Sequence, residues 1–249
     1  MAERDLALAA APPSREQSGL LAPGWHTIAV LVFLFGVAAL SAWRGAASPV
    51  GEVSSYARIA NYGTVFVWEW LMVAFIAWGV RRRGHSLSDL IAGRWATAGA
   101  FWRDLGISVL FLMCSTVVLG IIRSALRDKP NRAVINLLPD TLLEMAAWVV
   151  LAATAGFCEE TIFRGYLQKQ FARLTRNTGL GIALQALVFG ACHGYQGVKS
   201  TVSIAVFGLM FGLLANYRQT LRPGMLAHFL QDGMAGLVGR TALKHFNAG

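Results

Sequence analysis

The sequence predicts an all-α fold, a polytopic transmembrane helical bundle of about seven to eight membrane segments. Three observations carry that prediction. Of the 249 residues 55% are hydrophobic and 14% charged, with a mean hydropathy of +0.51, which overrides the one or two soluble domains such a length would otherwise suit. Apolar runs close to the ~20 residues needed to cross a bilayer recur along the chain. The net charge of +9 comes mostly from arginine, much of it at the ends of those runs. That pattern fits a lipid bilayer with anionic headgroups and argues against nucleic acid, since no basic stretch is interleaved with aromatics in a soluble segment.

Residues 1–25 are rich in Ala and Pro, with Pro12, Pro13 and Pro23. They are expected to form a disordered tail rather than a signal peptide, because the apolar run opening at His26 is too long for an h-region. The expected spans are 26–43, 60–80, 104–122, 142–158, 179–195, 200–217 and 222–239. The first three belong to an N-terminal region of helices and basic loops, 26–139, without evident chemistry. Glu69 is the exception, set between Trp68 and Trp70 with no partner in view. Arg81, Arg82 and Arg83 close the second span. Residues 84–103 read as an interfacial loop with Trp95 and Trp102 near the headgroups, and 123–141 as a basic loop broken by Pro130 and Pro139.

The region 140–240 carries the chemistry, and 241–249 are expected to be a C-terminal tail. Within it, 164–178 sets Tyr166, Leu167, Phe171 and Leu174 against Lys169, Arg173 and Arg176, and is expected to lie along the membrane surface as an amphipathic helix. With seven spans, Lys and Arg number 13 on the side of the N-terminus and 9 on the other. This favours a cytoplasmic N-terminus and, with it, a cytoplasmic Glu pair. Cys114, Cys158 and Cys192 have no framework spacing and read as small core residues.

Glu159 and Glu160 are adjacent acids at the end of a long apolar run, with Arg164 following. On a helix Glu160 and Arg164 are i and i+4 in the favourable order for an ion pair. Glu159 points about 100° away, so one acid reads as paired and the other as free. Charges at a membrane boundary would be the plainer reading, but ionisable groups recur inside later spans, where they are functional candidates by default. Phe189 and His193 share a face, with Gly190 and Gly194 placed for close helix approach. His228 and Asp232 are again i and i+4, so the acid can hydrogen-bond one imidazole nitrogen and fix its tautomer. Such a set can activate water through a carboxylate base and an oxyanion-stabilising His. It can equally bind zinc through Glu159, His193 and His228. A His-Glu-x-x-His signature is absent. Cys158 and Cys192 adjoin Glu159 and His193, but neighbours on one helix diverge too far for a nucleophile–base contact.

Glu159-Glu160-x-x-x-Arg164, Phe189-x-x-x-His193 and His228-x-x-x-Asp232 resemble, in order and rough spacing, the three motifs of the CPBP family. That family comprises the CAAX prenyl proteases of the Rce1 type and bacterial Abi-like, bacteriocin-processing relatives. The resemblance covers about residues 140–240. It implies an intramembrane endopeptidase acting on membrane-associated peptide or protein substrates, with a cavity opening to the cytosolic side. By that resemblance Glu159 and His193 would activate water, and His228 with position 232 would stabilise the oxyanion. Glu160 and Arg164 would hold the site together. Either no cofactor is required or zinc takes part. Position 232 is often Asn in that family, and an ionised Asp cannot donate a hydrogen bond. Asp232 is therefore expected to polarise His228 instead.

The leading expectation is an integral membrane endopeptidase, in a bacterial cytoplasmic membrane with the site facing the cytoplasm. A non-catalytic membrane binding or immunity protein using the same polar core is the alternative. A proton-coupled permease ranks last.

Overall fold

The computed structural model describes residues 19–47, 53–128 and 132–247, and among these it contains helices and turns without a strand. The long helices are α1 (Gly24–Ala47), α2 (Ser55–Arg81) and α4 (Ala98–Leu126), with a short α3 (Leu87–Ile91) between the last two. A short α5 (Arg132–Leu137) leads to α6 (Leu142–Glu159). This helix runs through a π-helical stretch, Glu160–Gln168, into α7 (Lys169–Thr175). Then follow α8 (Thr178–Cys192), a 3₁₀ turn (Gly194–Gln196), α9 (Val198–Arg218) and α10 (Arg222–Asn247). Five helical runs are long and apolar enough to cross a membrane: Gly24–Trp43, Ser55–Arg81, Ala98–Leu126, Leu142–Thr175 and Val198–Arg218. The chain is thus an integral membrane helical bundle, and Thr178–Cys192 is a shorter apolar helix within it.

Two local expectations are corrected. The first half of the segment 164–178 is not a surface helix, though residues 174–178 are exposed. Glu160–Gln168 is buried throughout at the centre of the bundle, and Leu142–Thr175 is one continuous helical run of 34 residues. Several of its polar side chains find partners inside. Gln168 donates to the Gly212 carbonyl at 3.1 Å, and Lys169 to the carbonyls of Asp89 and Leu90 at 3.2 and 2.8 Å. The second correction concerns the N-terminal tail. Residues 1–18 lie outside the described residues, but Leu21 and Ala22 are buried. The Gln170 side chain clasps them, accepting from Leu21 N at 2.8 Å and donating to Ala22 O at 2.9 Å. At the other end α10 continues to Asn247, so the expected C-terminal tail is helical as far as it is described.

The main core forms where α1 and α2 pack on the π stretch. Val30, Leu34, Met72, Val73 and Ile76 meet Cys158, Ile162, Phe163 and Leu167 there. Glycine sets the closest helix approaches. A Cβ at Gly156 would lie 2.8 Å from the Met225 carbonyl oxygen, and one at Gly190 would lie 2.7 Å from the Ala205 Cβ. Gly194 falls beyond the end of α8 and meets nothing, so of the Gly190 and Gly194 pair only the first supports close packing.

Candidate active site

Three elements converge on His228. Glu160 opens the π stretch and is buried with Arg164, whose Nη1 donates to Glu160 Oε1 at 2.9 Å. The guanidinium also donates to the Gly208 carbonyl at 3.3 Å. It lies over the Phe189 and Phe211 rings at 4.4 and 4.9 Å. A buried ion pair needs that much support, because desolvating both charges offsets most of their attraction. π-helical turns are rare and often mark functional sites. This one carries the ion pair into the middle of the bundle.

His228, on α10, places Nδ1 3.1 Å from Glu160 Oε1. A carboxylate oxygen can only accept, so this nitrogen donates and the bond sets the ring's orientation. Nε2 then faces Glu159 Oε2 at 3.7 Å and Asp232 Oδ2 at 3.5 Å. The expected tautomer-fixing bond from Asp232 is thus made by Glu160 instead, and Asp232 acts on His228 by charge at longer range. Glu159 and Asp232 side chains are 15% and 35% exposed against 6% for His228, so the cluster opens on the side of those two acids. Trp148 Nε1 donates to the Asp232 carbonyl at 2.7 Å and ties α6 to α10 beside it.

His193 lies just past the end of α8 and donates Nδ1–H to the Phe189 carbonyl at 2.8 Å. A carbonyl cannot donate, so Nε2 of the neutral ring is left as the basic nitrogen. The His193 ring sits 4.8 Å from the Phe189 ring, and Phe189 lies 6.5 Å from the His228 ring. Phe189 therefore bridges the two histidines, and His193 and Asp232 are within electrostatic range of one another. The structure gathers Glu159, Glu160, Arg164, His228 and Asp232 tightly, with His193 at the rim.

Sequence reasoning missed Phe211, whose ring is 5.4 Å from His228, and Tyr195, which lies within electrostatic range of Glu159 and Asp232. The Phe207 and Phe211 spacing of four in α9 was the available signal for the first. Tyr195 had none beyond its closeness to His193. Among the described residues no three His, Cys, Asp or Glu side chains converge as metal ligands. Glu159, His193 and His228 do not form such a set here.

Fold and site together define a polytopic membrane protein with a cluster of acids and histidines sunk in its helical core. Residues 141–234 match the family described as type II CAAX prenyl endopeptidase Rce1-like. Comparison with curated proteins and with solved structures returned no match. The family so matched is one of membrane endopeptidases.

Proposed function

We propose that the chain hydrolyses peptide bonds of membrane-associated or lipidated substrates by means of water activated at Glu159. The observation that carries this reading is the packing of Glu159, Glu160 and Asp232 around the single imidazole of His228, at 3.7, 3.1 and 3.5 Å. Glu160 is committed to Arg164 and His228, which leaves Glu159 as the acid free to take a proton from water. The three carboxylates hold His228 as an imidazolium, and its Nε2–H is the donor for the oxyanion that forms as water adds to the scissile carbonyl. His193, with its basic nitrogen at the rim, orients the attacking water, and Glu159 returns the proton it took from that water to the leaving amine. Arg164, under two aromatic rings, fixes Glu160 and through it the imidazole. No step is routed through zinc. The site is proposed to open to the cytoplasm of a bacterial cell.

The test is cleavage of a diverse peptide pool, lipidated and unmodified, by purified protein in liposomes, with new termini read by mass spectrometry. Wild type is expected to generate termini that Glu159→Ala does not. Identical termini from both proteins would assign the activity elsewhere. No cleavage by a folded wild type would favour a membrane binding or immunity protein that uses the same polar core. A chelator series in the same assay decides whether zinc takes part.

A further inference from the structure

One side chain reaches the site from outside the residues that match the family. Glu69 stands in the middle of α2 and is 1% exposed. Its Oε2 is buried without a hydrogen-bond partner. Among the described residues no basic side chain forms an ion pair with it. The charged groups it senses are those of the site, Glu159 from α6 and His228 and Asp232 from α10. The register of α2 on α6 is fixed next to it, where Trp70 stacks on Phe157 with ring centroids 5.4 Å apart. Cys158, the residue between Phe157 and Glu159, packs in one core cluster with Met72, Val73 and Ile76, which follow Glu69 on the same buried face of α2.

Glu159 has the complementary deficit, since its Oε2 is also buried with no hydrogen bond. His228 does not fill it, because one ring nitrogen is given to Glu160 and the other stays 3.7 Å from Glu159, beyond hydrogen-bond range. Two carboxylates in one water-poor site repel if both are ionised, and a single shared proton relieves the repulsion. A glutamate inside a span with no cation beside it is otherwise hard to sustain.

The geometry points to Glu69 as a positioning residue, a neutral carboxylic acid that donates its O–H to Glu159 and holds that carboxylate toward the attacking water. The proposal rests on the reading of Glu159 as the general base. The proton stays on the Glu69–Glu159 pair through turnover, and the proton from water goes to the other oxygen of Glu159. The donor enters the site from α2, so the N-terminal helices complete a centre that the C-terminal domain otherwise contains.

Wild type, Glu69→Gln, Glu69→Leu and Glu159→Ala are compared in liposomes by two readouts. By infrared spectroscopy at neutral pH, wild type should show a protonated carboxyl C=O band that both Glu69 variants lack. In the cleavage assay Glu69→Gln should keep kcat within about threefold, because its amide N–H replaces the donor. Glu69→Leu should lower kcat roughly 10²-fold with KM unchanged, the size of a mis-set catalytic group. The alkaline limb of the pH profile should move to higher pH in Glu69→Gln, whose amide cannot ionise. Full activity in Glu69→Leu, or equal loss in the Gln and Leu variants, overturns the proposal. So does the absence of a band that the substitutions remove. If wild type cleaves nothing, or Glu159→Ala cleaves as well as wild type, the protease reading fails instead. The infrared comparison still decides whether Glu69 is the neutral acid.

Discussion

Replacing Gly156 by alanine tests how closely the site depends on the approach of α6 to α10. The new Cβ would lie 2.8 Å from Met225 O, 3.0 Å from Phe229 N and 3.3 Å from Phe229 Cβ, whereas ordinary contact begins at 3.4 Å. Two of those atoms are backbone, so no rotamer change removes the clash. The helices must part by roughly 0.6 Å, an overpacking that costs about 1–3 kcal/mol. Met225 and Phe229 bracket His228 in sequence, so the displacement falls on the Nδ1–Glu160 bond, now 3.1 Å. Lengthened to about 3.7 Å, it ceases to be a hydrogen bond. Cleavage should fall about 10²-fold, as misplacements of this order do. The assay pairs a thermal melt with peptide cleavage in liposomes, with Gly63→Ala as control, since a Cβ at Gly63 meets nothing within 4 Å. The control should be neutral or up to about 1 kcal/mol more stable through helix propensity. A Gly156→Ala protein with wild-type melting temperature and wild-type turnover would refute the reasoning.

Three further outcomes are expected. Arg164→Ala leaves Glu160 buried with His228 as its remaining partner, and breaking the buried ion pair should destabilise the fold by about 3–5 kcal/mol; thermal denaturation in detergent checks this, and a melt within a degree or two of wild type would contradict it. His228→Ala should abolish nearly all cleavage while Asp232→Asn keeps a substantial part of it, because the hydrogen-bonded nitrogen of His228 goes to Glu160 at 3.1 Å and not to Asp232 at 3.5 Å; equal losses in kcat would count against that division. Gln170→Ala removes the clasp on Leu21 and Ala22 and leaves buried backbone groups unpaired, a loss of about 1–3 kcal/mol; limited proteolysis should cut faster around residues 19–23, and an unchanged pattern would show that the clasp contributes nothing.

The long apolar segments were legible in the sequence because lipid-length runs leave the backbone little choice but helix. The spans expected at 26–43, 60–80, 104–122 and 200–217 fall inside α1, α2, α4 and α9. The pairing of Glu160 with Arg164 was legible too, since it is local and four residues apart. What composition concealed was the fate of charge in the interior. Lys169, Arg173 and Arg176 made 164–178 look like a surface helix, yet burial of Gln168 and Gln170 and a carbonyl-bound Lys169 carry the helix on. The partners of His228 were misassigned for a related reason. Periodicity finds neighbours on one helix, such as Asp232. It is blind to an acid 68 residues away on another, and Glu160 holds the ring from there.

The same misreading bears on membrane orientation. The charge count assigned the N-terminus, and with it the segment around Lys169 and Arg173, to the cytoplasmic side. In the fold, α8 runs from Thr178 beside that segment to Cys192 beside His193, so the two lie at opposite ends of a helix about 22 Å long. If α8 runs along the membrane normal, a cytoplasmic N-terminus and a cytoplasmic mouth at His193 exclude each other. Arg164 also leaves the count, because it is buried in the ion pair, and the bias toward an inner N-terminus weakens. With the mouth on the cytoplasmic side, as proposed, Lys199→Cys at the start of α9 should resist a membrane-impermeant thiol reagent in intact cells, while Gly84→Cys after α2 should react. The reverse pattern would put the mouth on the outer face and restore the charge rule. Substrate presentation would then have to come from outside the cell, with the chemistry proposed at Glu159 unchanged.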